Sequence, residues 1–351
     1  MSILAIDLGQ SKSVFVFGGE QREERFGSFN TTSDAVRKIL IKHKPTLVVV
    51  EICPLAAMVH DIAAELGIRA LVADTTQDAW AWRNVKRKTD RDDALKLLRL
   101  AMVNQINPVY IPPPEMRQWR GLLKAREAAV VAQTRCKVRI RALLVTVDRK
   151  LPRGKGGWAQ AALDELRQWS RPLAECSPRE LWRGALAIEL ERLELLDKHV
   201  DVFDSKLRDW AKTDRRLQLV STIPGVGTVT AATIVAVLDD PHRFRSRRQV
   251  ASYAGLTPRR YQSGQMDHQG RISKRGNAML RRILNQAAWA SVRYNPSQRE
   301  FYLRLSNNGQ KGKRKRAVVA VMHKLLVTAW AILRDERPYR APQLDAAERA
   351  A

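Results

Sequence analysis

The chain has 351 residues, of which 45% are hydrophobic and 28% charged, and its formal net charge is +26. Such a length suffices for two or three domains with their own cores, and the composition excludes a disordered or fibrous protein. The excess of Lys and Arg indicates a phosphate polymer as partner.

The positive charge is unevenly distributed along the chain. Residues 1–110 contain 15 basic and 13 acidic side chains, whereas residues 241–316 contain 19 basic and 2 acidic side chains, a net charge of +17. A charge that served only solubility would not segregate in this way. The distribution predicts a nearly neutral front domain and a basic C-terminal domain that contacts nucleic acid.

Short β-prone and helical segments alternate through the first hundred residues. A helix capped by Ser33-Asp34 and a helix that ends at Gly67 separate the later strands. The predicted strands are Ile3–Asp7, Val14–Phe17, Arg25–Phe29, Leu47–Val50 and Arg69–Ala73. With a last helix after Asp90, the order β-β-β-α-β-α-β-α predicts a layered α/β domain over residues 1–110.

A proline run at 111–114 predicts a boundary, because proline continues neither a helix nor a central strand. The region 111–215 is then predicted to be helical, with a long helix over Glu115–Lys150 and a shorter one over Gln160–Trp169. Further along, apolar side chains recur at spacings of three and four, as in a heptad seam. They are Leu193, Leu196, Val200, Phe203, Leu207 and Trp210. A helical hairpin with the 115–150 helix and a dimer-forming coiled coil both fit this seam.

The third region, 216–351, is predicted to be mainly α-helical and basic. Its segment Ile223-Pro224-Gly225-Val226-Gly227 resembles a helix-hairpin-helix turn, in which two glycines let the backbone bend and the next helix offers N–H groups to a phosphate. An ordinary connection between two helices is the alternative. The apolar stretch Ala317–Leu333 is slightly short for a membrane span and contains His323 and Lys324, so a packed helix is predicted.

Acidic residues of the front domain stand where strands and a helix begin or end. Asp7 ends the first strand, Glu51 follows the buried strand Leu47–Val50, and Asp90 and Asp93 lie three residues apart at the start of the late helix. Singly, Asp7 fits a turn, Glu51 a surface position and Asp90 a helix cap. Together, with Asp92 pointing elsewhere, they predict a site for two divalent cations suited to phosphodiester chemistry.

These residues resemble a known family. The order Asp7, Glu51 and Thr89-Asp90-Arg91-Asp92-Asp93 is similar to the DEDD motif of bacterial insertion-sequence transposases related to the Piv/MooV DNA invertases, the "one-ten" group. The back half resembles that group through Ala254-Gly255-Leu256-Thr257-Pro258, then Ser263-Gly264, and then Gly270-Arg271-Ile272-Ser273-Lys274-Arg275-Gly276-Asn277. The resemblance covers nearly the whole chain in the same motif order.

The resemblance implies an RNase H-like (RuvC-like) fold for the front domain, with Mg²⁺ (or Mn²⁺) at Asp7, Glu51, Asp90 and Asp93. It implies Ser263 as the nucleophile that cuts and rejoins DNA, and a free serine needs a base or a metal for this. Two departures stand out: Ile52-Cys53 follows Glu51 where the family often has Thr-Gly, and Gln262 replaces a first serine. Tyr261 is a rival nucleophile without the arginine constellation of a tyrosine recombinase.

The remaining basic residues are predicted to hold DNA, mostly through phosphates. With the two glycines of the helix-hairpin-helix-like turn, the predicted nucleic-acid-binding residues are Gly225, Gly227, Arg259, Arg260, Lys274, Arg275, Arg281, Lys313, Arg314, Lys315 and Arg316. A solvated basic face is the alternative. Trp80, Trp82 and Trp119 could stack on bases, although core packing is the more common role of such residues.

The predicted partners are double-stranded DNA at element ends and target, a second copy or more of the chain in a dimer or tetramer, and no membrane. The resemblance also implies a structured guide RNA of the element. Cys53, Cys136 and Cys176 form no metal-ligand or disulfide pattern, which fits a reducing cytosol. The resemblance implies a protein of the bacterial cytoplasm that acts at the nucleoid.

The sequence also fits three other functions. A RuvC-type Holliday-junction endonuclease would use the same acids with water as the nucleophile. The segment Ala5-Ile6-Asp7-Leu8-Gly9 also resembles the first phosphate loop of sugar kinases and actin-like ATPases, although the further glycine-rich segments of those proteins are missing. A non-enzymatic nucleic-acid binder is the last alternative.

Overall fold

The chain divides into two compact units. The computed structural model describes residues 1–20, 22–74, 89–263 and 266–341. The units are Met1–Pro113 and Pro114–Ala351, so the division falls inside the proline run. The finer division of the second unit at residues 215 and 216 stays a prediction.

The first unit is built on a five-stranded mixed sheet with the order β3-β2-β1-β4-β5. Its strands are β1 (Ser2–Asp7), β2 (Lys12–Gly19), β3 (Arg22–Asn30), β4 (Leu47–Glu51) and β5 (Arg69–Ala73). β1, β2 and β3 form an antiparallel meander, while β1, β4 and β5 run parallel. This sheet with its flanking helices is an α/β unit compatible with an RNase H-like fold.

Helices cover both faces of the sheet. α1 (Ser33–His43) and α2 (Ala56–Glu65) pack on the face that carries Leu4, Ile6 and Val50, and α3 (Asp90–Met102) packs on the opposite face. The predicted element order is confirmed. The cap of α1 was placed one residue too late, since the Thr32 hydroxyl accepts a hydrogen bond from the Ala35 N–H. Gly67, with φ of +68°, follows α2 as predicted.

The second unit begins with an antiparallel pair of long helices. α4 (Pro114–Val145) packs along α6 (Leu181–Thr213), and α5 (Gln160–Trp169) lies against α6. Polar pairs tie α4 to α6 along its length, among them Arg126–Asp204, Gln133–Asp197 and Arg139–Glu189. α4 ends five residues before the predicted Lys150, in a turn where Asp148 adopts a left-handed φ of +55°.

The heptad-like seam packs within the chain, as the hairpin alternative expected. Leu193, Leu207 and Trp210 are buried on α6, and Trp210 stacks on Trp119 of α4 with ring centroids 4.1 Å apart. Trp119 therefore fills space between two helices, in agreement with the core interpretation. Trp80 and Trp82 lie outside the described residues. The dimer stays a prediction.

The rest of the second unit is a helical body with one β-hairpin. Its elements are α7 (Arg215–Ser221), α8 (Thr228–Leu238), α9 (Arg247–Tyr253), β6 (Pro258–Ser263), β7 (Met266–Ile272), α10 (Ala278–Tyr294), α11 (Pro296–Ser306) and α12 (Arg314–Asp335). One apolar cluster joins these helices to the adjoining ends of α4 and α6, and another fills the far end of the α4–α6 pair. The mainly α prediction is confirmed, but the hairpin was missed.

α12 is long and apolar enough to cross a membrane by length and composition, and within the described residues no other helix is. Its apolar side is nevertheless committed to the protein core, where Val321, Leu325 and Ala329 are at most 1% exposed. This packing agrees with the helix predicted over Ala317–Leu333.

Candidate active site

Two of the predicted acids meet at the carboxyl edge of the first unit's sheet. Asp7 is the last residue of β1 and Glu51 the last residue of β4. The two strands are parallel neighbours and Ile6 pairs with Val50, so Asp7 and Glu51 leave the sheet side by side. Both are half-buried. The topology therefore brings together two carboxylates that are 44 residues apart in sequence.

The start of α3 carries the other predicted acids, and a capping box fixes this turn. The Thr89 hydroxyl accepts from the Asp92 N–H, while the Asp92 carboxylate accepts from the Thr89 N–H at 3.1 Å and from its hydroxyl at 2.6 Å. Thr89, not Asp90, is thus the cap, and Asp92 is occupied locally. Asp93 is buried at 9% exposure beside the sheet, whereas Asp90 is exposed.

The four acids do not form a closed cluster in this structure. Among the described residues, no three His, Cys, Asp or Glu side chains are grouped so as to hold a metal ion. The donor chemistry of the strand-end pair suits a hard divalent cation, but the turn at Asp90 would have to approach them to complete the set. The metal assignment of Asp7, Glu51, Asp90 and Asp93 stays a prediction.

Ser263 lies at the end of a β-hairpin in the second unit. β6 and β7 are antiparallel, and Ser263, the last residue of β6, pairs with Met266. Gly264 and Gln265 lie outside the described residues. In sequence, a glycine followed by one residue between two strands is a hairpin signal, and this signal was available for finding the hairpin. The pairing places the backbone of Ser263 at the tip of a two-stranded ribbon.

Glycines fix the base of this hairpin. Gly255 and Gly276 have φ of +69° and +92°, and a Cβ on either would collide with the backbone of the other loop, at Arg275 and Tyr253 respectively. The Ser273 N–H donates to the Thr257 carbonyl at 2.8 Å, and the Lys274 N–H donates to the Gly255 carbonyl at 3.1 Å. The glycine motifs before β6 and after β7 therefore hold one another.

One face of the hairpin base forms a polar cavity of about 410 Å³. Three arginines, Arg259, Arg260 and Arg275, line it together with the hydroxyl-bearing residues Ser252, Thr257 and Ser273. The Arg259 guanidinium donates to the Ser273 carbonyl at 3.2 Å, which orients it along the hairpin. Guanidinium groups and hydroxyls are the donors that hold a phosphodiester. The three arginines were predicted from sequence, but the hydroxyls were not, since they come from separate segments.

Arg281 serves the fold of the same region. Its guanidinium donates to the carbonyls of Ala254 and Gly276, at 3.2 and 3.0 Å, and so bridges the two glycine loops. Burial lowers its pKa from the usual arginine value. These bonds give Arg281 a structural role beside its predicted contact with DNA.

The glycines of the helix-hairpin-helix-like turn differ from one another. Gly225 has φ of +90°, and a Cβ there would meet the backbone of Ser291 on α10 at 2.6 Å. Gly227 is the exposed N-cap of α8, with open space where a Cβ would stand. Gly225 is therefore required for helix packing, and of the two glycines Gly227 alone lies at an open helix terminus.

The basic run at the start of α12 faces solvent. Lys313, Arg314, Lys315 and Arg316 are all exposed, and the Arg314 guanidinium donates to the Gly309 carbonyl. Lys274, with a left-handed φ of +55°, is also exposed. This surface is electrostatically suited to a phosphate backbone.

Comparison with known proteins identifies the family of this chain. A model of the transposase family IS116/IS110/IS902 matches residues 217–303, which contain the hairpin and both glycine loops. A putative transposase of Sinorhizobium fredii is 30% identical over 316 residues, covering 82% of this chain and 77% of the relative. The chain belongs to the IS116/IS110/IS902 transposase family. The resemblance inferred from sequence is confirmed.

Two further relatives indicate the range of this family. The transposase for insertion sequence element IS1111A of Coxiella burnetii is 31% identical over 262 residues, 72% of this chain and 68% of the relative. The pilin gene-inverting protein of Moraxella lacunata is 28% identical over 259 residues, 73% of this chain and 69% of the relative. The protein is therefore a transposase, an enzyme of DNA strand cleavage and transfer. This membership favours recombination over the sugar-kinase alternative.

Proposed function

We propose that this transposase cuts and rejoins DNA through Ser263. The observation that supports this best is the placement of its backbone at the end of β6, the same strand that carries Arg259 and Arg260 into the polar cavity. A serine on a projecting ribbon can approach a backbone phosphate, and arginines along the ribbon can hold the neighbouring strand.

The proposed reaction has two balanced steps. The Ser263 oxygen attacks a DNA phosphorus and loses its proton, a P–O bond of the strand breaks, and the departing strand end takes up a proton as a hydroxyl. The hydroxyl of another strand end then attacks the serine-linked phosphorus. That step restores the serine hydroxyl and joins the two strands without any external energy source.

Asp7, Glu51, Asp90 and Asp93 are proposed to bind Mg²⁺ or Mn²⁺ in an RNase H-like (RuvC-like) unit. The sheet order and the adjacent ends of β1 and β4 support the proposal. A divalent ion at such acids would lower the pKa of a nucleophile and stabilise a leaving oxygen. The acids themselves would orient the ion, with the Thr89–Asp92 capping box holding the first turn of α3 in place.

The partners proposed for the enzyme follow from its charge and family. Double-stranded DNA at the element ends and target would lie on the basic surface of the second unit. The family resemblance is the basis for proposing a structured guide RNA of the element and assembly into a dimer or tetramer. The arginine-rich helix α4 offers further positive charge for binding RNA. The enzyme would act on the nucleoid in the bacterial cytoplasm.

Covalent trapping tests this proposal. Purified protein is incubated with Mg²⁺, junction DNA and RNA from cells that carry the element, and protein-linked DNA is measured on a denaturing gel. We expect an adduct for the wild type and for Ser205→Ala, an exposed serine of α6. We expect none for Ser263→Ala or Asp7→Asn. Cleavage by Ser263→Ala without any adduct would instead establish a water-driven, RuvC-type nuclease.

A further inference from the structure

A second recess lies on the hairpin base, formed together with the N-terminal half of α12. It has a volume of about 770 Å³. Its floor is largely aliphatic, with buried Leu256 and half-buried Ile272, Val319 and Ala320. A recess of this size falls in the range of pockets that accept organic molecules. An aliphatic floor offers nothing to a phosphate, so phosphate binding alone does not explain it.

Cations surround this floor. Arg271, Lys274, Lys315 and Arg316 line the recess and are exposed. The imidazole of His323 lies among them, and its pKa is lowered by burial and then by nearby Arg247, so the group is neutral at pH 7. The recess thus combines an uncharged interior with four positive charges at its margin.

We propose that this recess, the strand groove, binds an unpaired nucleotide of the DNA on which the enzyme acts. The base lies against Ile272, Val319 and Ala320, and the flanking phosphates lie on Arg271, Lys274, Lys315 and Arg316. Duplex DNA hides its base faces, so an apolar floor ringed by cations is complementary to a base that has left the stack. The proposal rests on the proposed action on DNA, and only the distance of the groove from the cut depends on Ser263.

The position of the groove suits such a role. Pro258 lines the groove at the base of β6, and Ser263 ends the same strand five residues further along. At 3.3 Å per residue the two are separated by about 17 Å, or about five base steps of DNA. Exchange of strands requires base pairs beside the cut to open, and the groove would hold one opened nucleotide.

Binding of matched oligonucleotides tests the proposal. A duplex with one unpaired thymidine is compared with the same duplex carrying an abasic unit at that position, so that the number of phosphates is equal. Fluorescence anisotropy should give the wild type an affinity about tenfold higher for the thymidine duplex, because the base would bury apolar surface against the aliphatic floor. The fluorescence of 2-aminopurine at the unpaired position should change on binding, which needs no variant.

The matched variants lie on α12. Ala320→Phe fills the groove and should remove the tenfold preference while leaving the affinity for the abasic duplex unchanged. Ala331→Phe, at a half-buried position of the same helix outside the groove, should retain the preference. Arg271→Gln should lower the affinity for both duplexes by the same factor. Ser263→Ala should bind as the wild type does, so failure of the trapping experiment leaves this test intact.

Several results would overturn the groove proposal. One is equal affinity of the wild type for the two duplexes, and another is a preference that survives in Ala320→Phe. A base-dependent preference seen with RNA of the same sequence and absent with DNA would assign the groove to RNA instead.

Discussion

The two units carry their charge in opposite ways. The first unit places a pair of carboxylates at the ends of adjacent parallel strands, inside a nearly neutral α/β framework. The second unit carries exposed cations on loops, a hairpin and a helix start, supported by a mainly apolar helical core. Acids that hold a metal need fixed geometry, whereas phosphate contacts tolerate long, mobile side chains. In the proposed function, the first unit supplies the metal ligands, while the second unit supplies both the affinity for DNA and the nucleophile Ser263.

The largest effect should come from the strand-end acids. Asp7→Asn or Glu51→Gln should reduce DNA cleavage by about 100-fold to 1,000-fold, because each would remove charge that supports a cation. DNA affinity measured in EDTA should stay at the wild-type value. Asp34→Asn, at an exposed position in the first turn of α1, is the matched control and should cleave normally. Normal cleavage by both acid variants would remove the metal role from this edge.

The next effect distinguishes the glycine that helix packing requires from the glycine at an open helix terminus in the second unit. Gly225→Ala should lower the free energy of unfolding by about 2 kcal/mol or more, because a left-handed φ and the backbone of Ser291 both oppose a Cβ. Gly227→Ala should cost within about 1 kcal/mol, because its site is open. Chemical denaturation measures both. If Gly225→Ala were as stable as the wild type, the close approach to α10 would be wrong.

A smaller effect should come from the exposed lysines. The triple change Lys311, Lys313 and Lys315 to Gln should weaken duplex binding and reduce the slope of log affinity against log salt by up to about 2.7, if all three contact phosphates. The same triple change at Lys38, Lys42 and Lys44, exposed in or directly after α1, is the control and should leave the slope unchanged. Anisotropy titrations over a salt series provide the measurement. Equal slopes for the two triples would contradict the division of roles.

The smallest effect is a pH dependence of the first unit. The imidazole of His43 packs on Phe15 and Phe17, with ring centroids 5.3 and 4.9 Å away. Burial, followed by nearby Lys42 and Arg25, lowers its pKa below 6.5. As the pH falls through 6.5, the unfolded chain takes up the proton first, so the free energy of unfolding should decrease; above 6.5 this contribution is absent.

Thermal melts of the wild type and His43→Phe between about pH 5 and 8 would measure this contribution. The variant should lose less stability at the acidic end, while the two proteins should follow parallel curves at the alkaline end. An unchanged acidic slope in the variant would show that His43 does not carry the effect.

Much of the first unit could be predicted because its signals are local. Apolar runs such as Leu47–Val50, together with helix start and stop signals, predict the type and order of the elements. This order predicts in turn that Asp7 and Glu51 lie at the same edge of the sheet. The distance from this edge to Asp90 depends on how α3 packs, which no local pattern encodes. Asp90 and Asp93 are three residues apart and were predicted to share a helical face, but Asp90 is exposed and Asp93 is buried.

The second unit was harder to predict where residues from separate segments meet. The β6–β7 hairpin lacks a clean apolar alternation, since its first strand reads Pro-Arg-Arg-Tyr-Gln-Ser, so its strands gave little signal. Ser252, Thr257 and Ser273 join the arginine cavity because Gly255 and Gly276 hold two loops together. The heptad spacing on α6 fitted a helical hairpin within the chain and a dimer equally well. The helical hairpin could be assigned only once α4 was known to pack along α6.

The most direct test of the central claim is to find the atom that holds the DNA. The trapped adduct is digested with protease and nuclease, and the modified peptide is sequenced by mass spectrometry. The account predicts a nucleotide phosphate on Ser263. A nucleotide on Tyr261, or cleavage with no modified peptide at all, would contradict the serine mechanism.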